Sequence, residues 1–251
     1  MFTGLISFSL ITSVALTGST LQTPILPNTE VSIPMEKKGE KRETIKKTRP
    51  IIQDWKTRLK NKDTQIDTFV SKSISLSDKN YEPTDLVSVG GVNEIGEAGR
   101  VNKIRKVARE SLWNMARDFH ITFGEPLIVI SAYRSAAYQK RMWDLGKCTD
   151  SLCAPPGHSE HQLGIAVDLF DATTEEEYYK NPKYVAYIKW LQRYAHLYGW
   201  TQSYQKGEDI DEYEIEPWHW RYVGVELATK LKKLDMTLTE YNRLQYVMDW
   251  R

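Results

Sequence analysis

The chain has 251 residues, 41% of them hydrophobic and eight of them Trp, enough to bury a real core and of a length that suits one domain with extensions or two small ones. Its formal net charge of +1 hides an uneven distribution, because eleven of the 34 Lys and Arg but only four of the 33 acidic residues fall between Glu36 and Lys62. Few aromatics interleave those basic residues and the remainder is mildly acidic, which argues against a nucleic-acid partner.

The opening stretch "MFTGLISFSLITSVALTGSTLQTPIL" carries no charge before Glu30, and Ser, Thr and Gly break its apolar core. Residues 1–25 therefore read as a secretory signal or a membrane anchor, with export expected in either case, although no basic residue precedes the apolar core. Residues 26–79 include "EKKGEKRETIKKTRP" after a Pro-containing run and read as a basic spacer, largely disordered or partly helical. Such a spacer stays solvated or contacts anionic envelope polymers or phospholipid headgroups.

From about Asn80 onward, punctuated apolar segments mark one domain, residues 80–251. "NKIRKVARESLWNMARDFH" spaces Ile104, Val107, Ala108, Leu112, Met115, Ala116 and Phe119 as one face of a helix. "PLIVISAY" is a continuous β-branched run that reads as a central strand, and Ser135 is placed to cap the helix "AAYQKRMWDLG". Cys148 and Cys153, the only cysteines, are close enough in a loop for a local disulfide worth about 2 kcal/mol; a C-x4-C metal pair is the rival reading. "GIAVDLF" is a second strand, "YVAYIKWLQRYAHLYG" a helix closed by Gly199, and "WHWRYVG" a third strand. "VELATKLKKL" and "TLTEYNRLQYVMDW" are terminal helices. Strands separated by helices, with an antiparallel core, predict an α+β domain.

"SEHQLGIAVDL" places His161 and Asp168 in a mostly small or apolar run, where a carboxylate needs a partner. A divalent cation would serve both residues, and a satisfied core histidine beside a structural aspartate would also account for them. "EIEPWHWRYVG" adds His219, with Glu216 three residues before it. Two His and one carboxylate form a ligand set for catalytic zinc, and Glu216 is then a candidate proton acceptor beside it. Pro217 forces an extended or turn backbone at Glu216, so these two residues need not share a helical face. Arg134, after the first strand, offers positive charge where a site would collect.

"SAYRSAAYQ", "PPGHSEHQLGIAVD" and "EPWHWRYVG", in this order, resemble the D-alanyl-D-alanine carboxypeptidase family of the VanY type, zinc peptidases of bacterial peptidoglycan. The resemblance covers about residues 80 to 240. It implies a LAS-type α+β fold, a small antiparallel sheet flanked by helices with Zn2+ at the sheet, and peptidoglycan stem peptides as substrate. It also implies that His161, Asp168 and His219 are the zinc ligands and Glu216 the catalytic base, and that Arg134 holds the substrate's carbonyl or carboxylate. Gln139, Ser159 and Tyr204 match substrate contacts. Ser203 and Gln205 depart from the family's usual Arg-Tyr-Pro, which bears on selectivity. Removal of the terminal D-alanine by a monomeric exported enzyme is the expected function. LD-carboxypeptidase or endopeptidase action, or a non-catalytic wall-binding module, are the alternatives. His158 is expected at a rim, His120 and His196 in structural or exposed positions, and Trp218 and Trp220 together on one strand face.

Overall fold

A computed structural model describes residues 65–95, 101–147 and 150–248. The expected leader and most of the basic spacer therefore lie outside the described residues. The described part opens with β1 (Leu86–Ser88), β2 (Asn93–Glu94) and β3 (Lys103–Arg105), followed by α1 (Lys106–Phe123), β4 (Ile128–Ser131) and α2 (Ala136–Asp144). A 3-10 turn (Glu160–Leu163) leads into β5 (Ala166–Leu169), then come α3 (Glu175–Lys180), α4 (Pro182–Tyr194) and a second 3-10 turn (Ala195–Tyr198). The chain ends with β6 (Trp200–Gln202), α5 (Glu208–Asp211), β7 (His219–Tyr222), α6 (Val225–Leu234) and α7 (Leu238–Met248).

Among the described residues, five strands form one sheet in the order β2-β4-β5-β7-β6, and β1 pairs with β3 in a separate ribbon. All neighbours in the larger sheet are antiparallel except β2 and β4, which run parallel. The fold is therefore α+β, as the sequence predicts. The most buried position belongs to β5, all four of whose residues are buried, while "PLIVISAY" supplies the strand beside it.

Strand alternation divides the sheet into two unlike faces. Val129, Val167, Leu169, Trp200 and Trp220 point into the main core. There Phe119 of α1 meets Tyr187 of α4 edge-on at 4.8 Å, and Trp190 at 5.5 Å. The opposite face carries Asp168, His219 and Arg221, all buried. Trp220 and Trp218 pack toward the core, as the alternation predicts, which leaves the polar face to His219 and Arg221.

Helix α1 starts later than its apolar spacing implies, because residues 103–105 pair with β1 as a strand. Val107 was expected on the inner face and is 43% exposed. At 100° per residue it falls outside the stripe that Ala108, Leu112, Met115 and Phe119 share. Ser135 caps α2 as expected, its hydroxyl accepting from Tyr138 N at 3.1 Å. Packing also reaches upstream of Asn80: Val70 and Leu76 join the main core, and Phe69 joins a second cluster with Val223, Leu231 and Leu238.

Candidate active site

The site grows from the turn between the loop at 154–158 and β5. Ser159 caps that turn, its hydroxyl accepting from His161 N at 3.3 Å, and Gly164 ends it with a φ of 68°. The chain then enters β5 and delivers Asp168 beside β7, where the antiparallel register pairs Asp168 with His219. A register shift between Val129 and Ser131 in β4 sits opposite Asp168, the kind of local irregularity that re-aims a side chain next to a site.

His161 Nδ1 donates to the Ala132 carbonyl at 2.7 Å, which turns Nε2 toward Asp168 Oδ1, 3.2 Å away. Burial, helped by the positive charge of Arg134, lowers the His161 pKa to about 4, so this ring is neutral and its Nε2 carries a lone pair. Two electron-pair donors thus face each other. His219 Nδ1 is also 3.2 Å from Asp168 Oδ1, and its Nε2 donates to Glu160 Oε2 at 2.9 Å. Burial works against protonation of His219, but hydrogen bonds to Asp168 and Glu160 outweigh it and raise its pKa to about 10. Asp168 is held well below the ordinary carboxylate range despite its burial, by the two imidazoles and Arg134.

One donor atom from each of His161, Asp168 and His219 lies within 4.8 Å of the others. Ligands about 2.0–2.1 Å from a tetrahedral zinc would stand about 3.3 Å apart, close to the two distances of 3.2 Å here. Donor type, spacing and the facing lone pairs therefore fit a divalent metal ion.

Glu216 lies beside this triad, its Oε2 3.6 Å from His219 Nδ1. Burial raises its pKa to about 8, with the charges of Asp168 and Glu160 adding to the effect and His219 and Arg134 opposing it. Its backbone is fixed by Glu216 N donating to Tyr204 O at 3.0 Å and by Gln202 Nε2 donating to Glu216 O at 3.2 Å. Arg134 Nη2 is 3.9 Å from Asp168 Oδ2, with the side chain 23% exposed and so open to a ligand. The Tyr204 ring stacks 4.7 Å from that of His219 and 4.8 Å from Tyr213, forming a wall. Gln139 is buried; its Nε2 donates to Ala154 O at 2.8 Å, and its Oε1 has no partner among the described residues.

Cys153 is disulfide-bonded, and Cys148, the chain's other cysteine, lies outside the described residues. This loop touches both sides of the site: Ala154 O also accepts from Trp143 Nε1 at 2.9 Å, and Ser151 O accepts from Glu214 N at 3.1 Å. His158 Nδ1 is bonded to Ser71 O at 2.9 Å, and it makes no contact with the triad among the described residues. Sequence reasoning missed Glu160, which meets the far nitrogen of His219, and Arg221, which bonds to Glu160; it noted Ser203 only for selectivity, whereas the Ser203 hydroxyl also donates to Glu160. The strand alternation held a signal: a basic residue on the His219 face of β7 needs an acidic partner there.

A family profile described as VanY, D-alanyl-D-alanine carboxypeptidase, matches residues 101–225. The chain is 37% identical over 169 residues to the putative carboxypeptidase YodJ of Bacillus subtilis (strain 168), covering 64% of this chain and spanning 62% of that relative. Among solved structures, the LdcB LD-carboxypeptidase, described for its peptidoglycan recognition, is 35% identical with a TM-score of 0.59, over 68% of this chain and 83% of that one. A VanY D,D-pentapeptidase mutant in complex with Zn(II) shares the fold at 24% identity and a TM-score of 0.51, over 70% of this chain and 98% of that one.

Proposed function

The chain belongs to the VanY family of D-alanyl-D-alanine carboxypeptidases, and from that premise we propose that it removes the terminal D-alanine from peptidoglycan stem peptides, with zinc held by His161, Asp168 and His219. The observation that carries the metal is the neutral His161 Nε2 facing Asp168 Oδ1 at 3.2 Å, while Nδ1 is engaged by Ala132 O. When bound, zinc supplies Lewis acidity toward the scissile carbonyl and toward water. Glu216 stands beside the ligand set, where a cation's charge would offset the burial that raises its pKa, so its carboxylate takes the proton of the attacking water and returns it to the departing amine. Arg134 supplies positive charge for the substrate's carbonyl oxygen or terminal carboxylate. To Gln139, whose carbonyl oxygen is buried without a partner among the described residues, we assign a contact with the peptide end, and Tyr204 forms a wall. The Ser159 hydroxyl accepts from His161 N, which steadies that residue, and its own proton remains to donate to the peptide end. Export accords with a wall substrate and with the disulfide at Cys153.

The likeness to LdcB favours a second reading, LD-carboxypeptidase action on tetrapeptide stems. Mass spectrometry of penta- and tetrapeptide stems, with chelated and zinc-reloaded protein, separates the two. Zinc-dependent loss of one D-alanine from the pentapeptide supports the DD reading, and loss from the tetrapeptide alone replaces it with LD. Intact stems in both arms would remove carboxypeptidase action. Glu216→Gln is expected to lower kcat by about 100-fold to 10,000-fold while zinc still binds; near-parental kcat would overturn its role.

A further inference from the structure

Behind His219, on the side away from Asp168, a second carboxylate is held by a complete set of donors. Glu160 is 2% exposed. Its Oε2 accepts from His219 Nε2 at 2.9 Å and from Ser203 Oγ at 2.6 Å, and its Oε1 accepts from Arg221 Nη1 at 2.8 Å. Arg221 is 0% exposed, and its Nη2 donates to the backbone carbonyls of Ile66 and Thr68. His219 and Arg221 alternate on β7 and share a face, so one strand delivers both partners of the same carboxylate. Glu160 itself comes from the turn that carries His161.

Burying a carboxylate and a guanidinium together is seldom worth more stability than apolar residues of the same size would give. A functional reason should therefore be sought in what the pair touches. The two imidazoles present different nitrogens to Asp168: His161 uses Nε2 and His219 uses Nδ1. Each choice is set by what the other nitrogen meets. A neutral backbone carbonyl serves His161, and an ionised carboxylate serves His219. A carboxylate behind a ligating imidazole fixes ring orientation and tautomer, and it increases the electron density at the ligating nitrogen.

We propose that Glu160 is a positioning residue for the metal centre, fixing His219 as an Nδ1 ligand, and that Arg221 and Ser203 hold Glu160 in that task. The proposal rests on the metal reading of the triad. Ile66 and Thr68 extend the support to the start of the described chain, so the backbone at 66–68 braces a ligand more than 150 positions away in sequence.

Zinc affinity, measured by competition with a chromogenic chelator on the full chain, tests this directly. Glu160→Gln keeps the shape and removes the charge, and it should weaken zinc binding by about 10-fold to 100-fold. Because Glu160→Gln leaves the Arg221 charge unpaired and can fail to fold, a double variant, Glu160→Gln with Arg221→Met, removes both charges. The double variant is expected to match or exceed the parent's metal-free melting temperature and still to bind zinc at least 10-fold more weakly. Zinc affinity within about twofold of the parent in either folded variant would overturn the proposal and leave the metal site intact. A parent protein that takes up no zinc would instead overturn the metal reading, and this proposal with it.

Discussion

Gly164 closes the turn that carries His161 and begins the approach to Asp168, with a φ of 68°. A Cβ there would stand 2.9 Å from Leu86 Cδ2 and 3.0 Å from Arg105 Cγ, in addition to the backbone strain. Gly164→Ala should therefore destabilise the fold by about 1–3 kcal/mol, read as a lower denaturation midpoint. Unchanged stability would mean that the ribbon of β1 and β3 yields more easily than its packing indicates. At this scale much of the site was legible in the sequence. His161, Asp168 and His219 interrupt buried apolar runs, and a polar group in such a run asks for a partner. Glu160 was not legible, because beside Ser159 and His161 it reads as one more polar loop residue. Its partners come from β7 and from the residue just after β6, whose approach to the turn only the tertiary fold reveals.

At the level of elements, α7 starts with a reciprocal cap. Thr237 Oγ1 accepts from Glu240 N at 3.2 Å, and Glu240 Oε2 accepts from Thr237 N at 2.8 Å. Leu238 inserts into the second core cluster directly after it, so the cap fixes where the helix packs. Thr237→Ala should cost about 1 kcal/mol in urea denaturation. The Glu240 carboxyl is held below its ordinary value of 4.5 by hydrogen bonds from Lys206 and Thr237, burial notwithstanding. Its contribution is therefore fully present above about pH 4.5 and is lost as the pH falls through the lower folded value. The difference in stability between parent and Glu240→Gln should shrink over that acidic window and stay flat above it. A difference independent of pH would show that the charge contributes nothing. Long helices such as α1 and α4 were readable from their apolar spacing. Strand β6 was not, since three residues are too few for a period of two to stand out.

Across the whole molecule, the order of the strands was the least legible feature. No local pattern shows that β5 lies at the centre with β4 beside it, or that Phe69 and Leu76, isolated in a polar stretch, pack into the domain. The two strand-borne ligands depend on that order. Asp168 and His219 are Cα partners on adjacent strands, yet α3, α4 and β6 intervene between them in sequence. What fixes their distance is the pairing of β5 with β7, and the length of the chain that joins the strands does not enter. The exposed stretch at 173–176 should accordingly accept inserted residues with zinc binding retained by chelator competition, whereas a single residue inserted between Trp218 and His219 should abolish it by turning the imidazole to the other face of the sheet. Loss of binding from both insertions would show that the connection itself holds the ligands in place. Over descent, then, the exposed stretch at 173–176 can lengthen, shorten or take on new contacts while Asp168 and His219 stay paired, whereas the later part of the same connection, which carries Ser203, Tyr204 and Glu216, is bound to the site and has no such freedom.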